Sequence, residues 1–187
     1  GFTVPVYFFF LLFQLHYLQR AFIFQFLLKG KSRMPVAIMA MGIVFNLLNG
    51  MMQAGGLFYF APEGLYADGW AYLLKPHALL GIILFFAGMF VNLHSDYVIR
   101  HLRKPGDTKH YLPGKGLYRY VTSANYFGEL VEWTGFAILT ASPAAWVFVW
   151  WTFANLVPRA DAIHRRYREE FGDEAVGKRK RIIPFLY

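Results

Sequence analysis

Long apolar runs constrain this chain more than any other feature of its sequence. Three of them exceed the roughly 20 residues that an α-helix needs to cross the hydrocarbon core of a bilayer. A fourth run contains two glutamates, and a fifth stops sooner, before Pro158. A turn at Ser142-Pro143 is expected to join these last two runs into a helical hairpin. The predicted spans are residues 4–28, 36–60, 71–93, 117–141 and 144–157.

The predicted fold is therefore all-α: a polytopic transmembrane helical bundle of about five spans, built as a single domain over residues 1–187. Composition supports this class, because only 16% of the residues are charged, against roughly 25% in ordinary soluble domains. An aromatic content of 20% argues against a disordered chain, and the lack of cysteine argues against a disulfide-built secreted domain.

Basic residues indicate the orientation of the chain. Nearly all of the 19 lysines and arginines lie in residues 29–33, 100–119 and 159–181, which the predicted spans place on one side of the membrane. Because cytoplasmic loops are enriched in Lys and Arg, we expect a cytoplasmic C-terminus, in a bacterial inner membrane or an endoplasmic reticulum membrane depending on the organism. The basic residues of these loops are also expected to be attracted to anionic membrane lipid. We infer no metal, no nucleic acid and no protein partner.

Polar side chains inside membrane spans are costly and are therefore candidates for function. In the first span, Gln14, Tyr17 and Arg20 recur at three-residue spacing and share one helix face. With Phe13 beside them, they predict an aromatic-walled pocket for a flat apolar ligand that carries one or two oxygens. The alternative is that Tyr17 anchors the helix at the membrane interface and that Arg20 extends its charge to water.

A second polar stripe is predicted at the end of the third span. Asn92, Asp96, Arg100 and Arg103 share one face if the helix persists to residue 104. Guanidinium groups match the geometry of phosphate oxygens, and a carboxylate accepts hydrogen bonds from ribose hydroxyls. The stripe therefore predicts a nucleotide contact, the alternative being a surface helix with an ordinary ion pair between neighbouring turns.

The fourth span carries Asn125, Glu129, Glu132 and Trp133 within about a third of the helix circumference. Its two carboxylates need hydrogen-bond donors, which arginines or a ligand amide such as the nicotinamide carboxamide could supply. The alternative is that structural arginines neutralise both glutamates.

Beyond Pro158, a further face of the chain carries Arg159, Arg166 and Tyr167, which form another candidate phosphate clamp. The chain has no glycine-rich dinucleotide fingerprint, no phosphate-binding loop and no zinc-protease or serine-hydrolase motif. A nucleotide is therefore expected to bind between helices, without a Rossmann fold.

Several long motifs, in the same order along the chain, resemble those of the steroid 5α-reductases. The resemblance starts near His16-Tyr17 and runs to the C-terminus, so it covers most of the sequence. Within the wider family, which includes polyprenol and enoyl-thioester reductases, the chain is most similar to the 3-oxo-Δ4-steroid reductases. The motifs are NLHSDY at 92–97, LRKPG at 102–106, PGKGL at 113–117, SANYFGE at 123–129 followed by EW at 132–133, and IPF at 183–185.

The resemblance implies a seven-span bundle that binds NADPH on its cytoplasmic side and reduces the C4–C5 double bond of a steroid enone. The catalytic tyrosine of the family matches Tyr17, which follows His16. Its glutamine-glutamate pair belongs to an earlier helix, and nothing before Tyr17 matches that pair. We therefore expect the first two family spans to be absent from this sequence.

The resemblance also assigns cofactor contacts by position. The family has a histidine-rich stretch between the positions of Arg159 and Tyr167, and His164 is the histidine that remains there. Arg33, in the basic turn after the first span, is a further candidate for contact with the adenosine phosphate. In the first span, Gln14, Arg20 and Phe13 are the expected substrate-pocket residues. The cofactor contacts implied by the family motifs are Asn92, Asp96, Arg103, Asn125, Glu129, Arg159 and Tyr167.

Other functions remain open from the residues alone. The chain could be a related reductase acting on a polyprenol or an enoyl thioester. An S-adenosylmethionine-dependent membrane methyltransferase shares a small helical architecture with a charged C-terminal tail, but it needs no clamp for the 2′-phosphate of NADPH. A non-enzymatic lipid-binding membrane protein would leave the polar stripes of the third and fourth spans unexplained.

Overall fold

The computed structural model describes residues 2–27, 35–104, 107 and 109–187, and in these residues the chain is helical apart from turns and loops. A π-helical segment, Leu18–Ile23, and one further turn extend the first helix, and a second π-helical segment, Gly55–Tyr59, extends the next one. The α-helices are α1 Val4–Tyr17, α2 Val36–Ala54, α3 Trp70–Leu73, α4 Pro76–Arg100, α5 Ala124–Thr140, α6 Pro143–Phe171 and α7 Asp173–Val176.

Among the described residues, three helices are long and apolar enough to cross a membrane: Val4–Leu27, Val36–Tyr59 and Pro76–Arg100. They overlap the first three predicted spans, but the third begins at Pro76 rather than residue 71 and extends to Arg100 rather than residue 93, because Trp70–Leu73 form a separate short helix. The all-α, polytopic membrane class predicted from the sequence is therefore confirmed.

The fourth and fifth predicted runs are helical, but with different bounds. Helix α5 begins only at Ala124, because residues Gly116–Arg119 form a tight 3₁₀ turn and the next residues pair with the C-terminal segment. Helix α6 continues unbroken through Pro158 to Phe171, although the sequence suggested that the apolar run ends at that proline. The turn predicted between the two helices is confirmed: Ala141, at φ 50°, and Ser142 separate α5 from α6.

The third helix does not persist to residue 104, which was the condition for Arg103 to share a face with Asn92 and Asp96. Helix α4 ends at Arg100, and the amide of Leu102 bonds to the Ile99 carbonyl in a tighter, 3₁₀-type geometry. Arg103 therefore lies beyond the helix rather than on the face that carries Asn92 and Asp96.

The chain divides into two compact units, and helices α4, α5 and α6 each contribute residues to both. The first unit comprises Gly1–Ile82 and Phe136–Phe148, and the second comprises Ile83–Gly135 and Val149–Tyr187. The single domain anticipated from the sequence stays a prediction.

Two tyrosines organise the first unit. The hydroxyl of Tyr66 donates a hydrogen bond to the carbonyl of Thr140 at 2.6 Å, and that of Tyr72 donates to the carbonyl of Leu139 at 3.1 Å. Both carbonyls lie in the last turn of α5, where a helix has no amide partners of its own for them. The two rings also pack edge-on against buried Phe9 of α1. The loop before α4 is thereby tied to the helical core.

In the second unit, α4 and α5 approach each other through glycine. A Cβ atom at Gly128 would lie 2.5 Å from the backbone nitrogen of Asn92, and a Cβ at Gly88 would overlap the backbone of Glu132. Small residues that allow such close approach are typical of helix contacts in membranes. The side-chain amide of Asn92 adds a hydrogen bond to the Asn125 carbonyl at 3.2 Å.

The C-terminal segment packs against the start of α5. The amides of Thr122 and Ser123 donate to the carbonyls of Lys180 and Arg181, at 2.9 and 3.0 Å. The Arg181 guanidinium is paired with Asp161 of α6 at 2.5 Å. This segment therefore fixes the loop that precedes the Asn125 end of α5.

Candidate functional site

Tyr17 is the last residue of α1 and is half-buried. Its ring lies 4.7 Å from the ring of Phe13, one turn earlier, which is buried and also contacts Phe136. The phenol oxygen accepts a hydrogen bond of 2.9 Å from the side-chain amide of Asn49 in α2. The predicted catalytic tyrosine is thus held by an aromatic ring on its own helix and by a polar group on another.

A groove of about 540 Å³ runs along this part of α1. Of the residues predicted for the substrate pocket, Gln14 lines it together with Tyr17. Phe13 packs toward the helical core instead, and the Arg20 guanidinium stacks 4.7 Å from the Phe24 ring. The groove is otherwise apolar, formed by Leu11, Leu12, Leu15, Leu18, Ala21 and Phe22.

Helix α2 contributes two polar residues that the sequence analysis missed. Within Val36–Ala54, the only buried residues are Asn49 and Gln53, while the apolar side chains around them are largely exposed. The available signal was two amides four residues apart inside an apolar span, a spacing that places both on one helix face.

The second unit holds the predicted cofactor residues of α4 and α5. Asn92 and Asp96 are buried on successive turns of α4, with exposures of 3% and 6%. Asn125 is half-buried at the start of α5, where its side-chain oxygen accepts a hydrogen bond of 3.4 Å from the Tyr118 hydroxyl. Glu129 follows one turn later and is half-buried, whereas Glu132 is fully buried.

Tyr118 connects these residues electrostatically. It lies in the turn before α5, outside the three spanning helices, where burial and then the nearby Asp96 carboxylate raise the pKa of its phenol. Tyr167 of α6 also acts on Tyr118, and burial raises the pKa of Tyr167 as well. The structure therefore brings Asp96, Asn125 and Tyr167 together around one buried phenol, and Asn92 joins them through its hydrogen bond to the Asn125 carbonyl.

A buried hydroxyl adjoins the same end of α5. Ser123 is 1% exposed, and its Oγ makes no hydrogen bond to any residue of the described part of the chain. Its amide is already used by the C-terminal segment. The hydroxyl is thus a buried polar group with capacity for a further partner.

Four of the nine arginines in the second unit have acidic partners among the described residues. Arg165 and Arg181 both pair with Asp161, and Arg166, predicted as part of a phosphate clamp, lies 3.9 Å from Glu170. Arg103 and Arg159 are exposed and form no ion pair with the residues that the structure describes. Both guanidiniums are therefore available to an anionic ligand.

His164 and Arg33 differ from the other candidates. His164 is buried, with Nδ1 3.3 Å from the Thr122 hydroxyl. Burial, followed by the charges of Arg181 and Arg168, lowers the pKa of His164 below its usual value. Arg33 lies outside the described residues.

The sequence is similar to known proteins over most of its length. A family model described as 3-oxo-5-alpha-steroid 4-dehydrogenase matches residues 32–187. The chain is 42% identical over 175 residues to 3-oxo-5-alpha-steroid 4-dehydrogenase 1 of Bos taurus, and 42% identical over 176 residues to the human protein of that name. It is 39% identical over 176 residues to human 3-oxo-5-alpha-steroid 4-dehydrogenase 2. Each match covers 94% of this chain and 66% of the relative, so the chain spans just under two thirds of their length.

Proposed function

Because this chain belongs to the 3-oxo-5-alpha-steroid 4-dehydrogenase family, we propose that it reduces the C4–C5 double bond of a 3-oxo-Δ4-steroid with NADPH as the reductant. The observation that carries the proposal is Tyr17: a phenol hydroxyl held by a buried amide, beside an otherwise apolar groove. An apolar enone with one polar oxygen suits such a lining.

The polar residues of the second unit fit NADPH. An amide, a buried carboxylate and the unpaired Ser123 hydroxyl suit the carboxamide and ribose hydroxyls, and the exposed guanidiniums of Arg103 and Arg159 suit the phosphates. When bound, NADPH supplies a hydride. Asn92, Asp96, Asn125 and Glu129 would hold its nicotinamide and ribose side, while the two arginines would neutralise its phosphates.

In this proposal, Tyr17 donates a hydrogen bond to the carbonyl oxygen of the substrate. Hydride addition to the β-carbon of an enone would drive negative charge onto the carbonyl oxygen, and a proton would then have to reach the α-carbon to complete the reduction. A hydroxyl that donates to that oxygen stabilises the transition state more than the ground state, and this difference is what accelerates the reaction. The apolar side chains of the groove offer the carbonyl no competing hydrogen-bond donor.

The proposal is tested with the complete gene product in detergent. NADPH oxidation is followed with a 3-oxo-Δ4-steroid, and separately with a polyprenol and an enoyl thioester. We expect turnover with the steroid and formation of its 5α-reduced product. Turnover with only one of the other two substrates would instead identify a related reductase, and no NADPH binding at all would reject the family activity for this protein.

Arg103 provides a test of cofactor selection. If its guanidinium meets the 2′-phosphate, Arg103→Ala should weaken NADPH binding about 10- to 150-fold, the usual effect of losing a charge-assisted hydrogen bond of about 1.5–3 kcal/mol. NADH binding should change far less, since NADH lacks that phosphate. Titration of both cofactors measures this, with Arg165→Ala as the control because Arg165 is exposed and already paired with Asp161. Equal losses for the two cofactors would rule out a 2′-phosphate contact.

Asn125 and Glu129 test the nicotinamide end. An amide and a carboxylate one turn apart can bind a carboxamide together. We therefore expect Asn125→Ala and Glu129→Ala each to weaken cofactor binding while leaving the melting temperature of the cofactor-free protein nearly unchanged. A large fall in that melting temperature, with cofactor affinity preserved, would assign both residues to the fold instead.

A further inference from the structure

We propose that Asn49 and Gln53 of α2 are positioning residues for Tyr17: they hold its phenol so that the hydroxyl proton is directed to the substrate carbonyl. This inference rests on the proposed function, because it concerns how the proposed hydrogen-bond donor is oriented. Both residues lie in the first unit together with Tyr17. Three observations support this role: both side chains are buried, they form three hydrogen bonds, and the donors of those bonds point in a defined direction.

The burial pattern of α2 sets these two residues apart. Asn49 is 0% exposed and Gln53 is 2% exposed, yet they are the only buried residues of a helix whose other side chains are mostly apolar. An amide costs free energy when it leaves water, and in a membrane-spanning helix it is retained where it faces a polar partner or a functional site. The inward face of α2 is therefore polar where it meets α1.

The direction of the hydrogen bonds is fixed by a backbone carbonyl. Gln53 Nε2 lies 3.0 Å from the carbonyl oxygen of Ala144, an atom that only accepts, so the NH₂ group of Gln53 must face it. The same nitrogen donates to Asn49 Oδ1 at 3.3 Å, which turns the Asn49 amide nitrogen toward Tyr17. The Asn49 Nδ2 atom then donates to the phenol oxygen at 2.9 Å.

The hydrogen bond from Gln53 to the Ala144 carbonyl depends on a nearby glycine. At Gly56, just after Gln53, a Cβ atom would lie only 2.8 Å from the Cβ of Ala144. The absence of that atom lets the π-helical segment after α2 approach the first turn of α6, which brings the Ala144 carbonyl within reach of Gln53. The oxygen of the Gln53 amide has no hydrogen-bond partner among the described residues. Three of the four amide N–H groups of the pair are thus used, while one acceptor is left without a partner.

The consequence for Tyr17 follows from the chemistry of a phenol. Its oxygen can accept and donate at once, and the Asn49 amide takes an accepting position. The hydroxyl proton must then point away from Asn49. The amide also stabilises negative charge on the phenol oxygen as that proton is shared with the substrate oxygen, and successive bonds in such a chain polarise one another.

The test compares Asn49→Leu and Gln53→Leu with a matched control in the complete gene product. Leucine keeps the size of the side chain and removes the amide. The control is Asn46→Leu, the same substitution one turn away, where the amide is exposed and bonds only to the Gly42 carbonyl of its own helix. We expect Asn49→Leu to lower kcat about tenfold, in line with the loss of one hydrogen bond. The KM values for steroid and NADPH should change less than about twofold, because binding is not what the amide supports.

Double-mutant cycles with Tyr17→Phe show whether the amides act through the phenol. In the Tyr17→Phe background, Asn49→Leu should lower kcat no further, whereas a general weakening of the bundle would lower it in both backgrounds. Gln53→Leu should likewise have little additional effect once Asn49 is leucine. If Asn49→Leu has the same kcat as Asn46→Leu, or lowers kcat equally with and without the Tyr17 hydroxyl, the positioning role is overturned.

A second cycle on unfolding separates this inference from the proposed function. Thermal melts of Tyr17→Phe, Asn49→Leu and the double variant should give non-additive destabilisation, since each single change breaks the same bond. Additive values would overturn the Asn49–Tyr17 contact whatever the enzyme does. If the parent protein reduces no enone but the melting cycle is non-additive, the proposed function and the role in turnover both fail while the contact stands.

Discussion

Replacement of Tyr17 by phenylalanine is expected to lower kcat by about 10²–10³, the usual cost of removing one donor to a developing oxyanion. Phenylalanine preserves the ring that packs 4.7 Å from Phe13 and removes only the hydroxyl that Asn49 contacts. Dissociation constants for steroid and NADPH should therefore change little. The measurement is single-turnover reduction with NADPH and with cofactor deuterated at the transferred position, so that hydride transfer is shown to limit the rate.

Tyr7→Phe is the matched control for this experiment. Tyr7 lies on the same helix but is 50% exposed, and it is not part of the groove beside Tyr17. Its loss of a hydroxyl should leave kcat unchanged. Near-parental rates for Tyr17→Phe, under conditions where a deuterium isotope effect is observed, would eliminate Tyr17 as the donor, and the oxyanion partner would have to be sought at Gln14, His16 or Arg20.

Alanine at Gly128 or Gly88 is expected to destabilise the protein by about 3 kcal/mol, the upper part of the usual range for overpacking. The reason is that the added methyl group meets backbone atoms of the neighbouring helix, which cannot rotate away as a side chain would. For a chain of this size, each kcal/mol moves Tm by about 2–4 °C, so a fall of roughly 6–12 °C is predicted. Thermal unfolding in detergent measures it.

Gly42→Ala and Gly50→Ala are the controls for the glycine contact. Both glycines lie inside α2, and a Cβ at either position meets no atom within 4 Å. Alanine there should leave Tm unchanged or raise it slightly, because alanine favours a helix by up to about 1 kcal/mol over glycine. If Gly128→Ala and Gly88→Ala behaved like these controls, α4 and α5 would not be in backbone contact in the protein.

The sequence predicted the spanning helices well because their signal is local. An apolar run of sufficient length needs no partner to be recognised, and each of the first three runs overlaps a helix that can cross a membrane. The ends of helices were harder to predict where they depend on contacts with a segment far along the chain. Helix α5 begins after Thr122 and Ser123 because those residues pair with Lys180 and Arg181, far along the chain.

Candidate site residues were recognised where one helix carries the pattern. Asn92 and Asp96 stand one turn apart, and the structure buries both on α4. The amides of α2 went unrecognised because their importance depends on Tyr17 and Ala144, which lie on other helices. Helical spacing also could not show that Arg166 is engaged by Glu170, or that Arg103 falls beyond the end of α4. The cofactor and substrate roles of these residues stay predictions.

The loop that Tyr66 and Tyr72 tie to α5 has a practical consequence for topology mapping. The basic segments that flank the second and third predicted spans are expected to be cytoplasmic, so the loop between those spans is expected on the opposite side. A glycosylation acceptor or epitope placed in it would report the orientation of the protein. Insertion between residues 66 and 72 would separate the two hydroxyls from the carbonyls of Thr140 and Leu139 and would disturb the very fold being mapped. Glu63 and Gly64 are exposed, and Gly64 adopts a φ of 78° in a surface turn. A reporter inserted there leaves both tyrosine contacts in place.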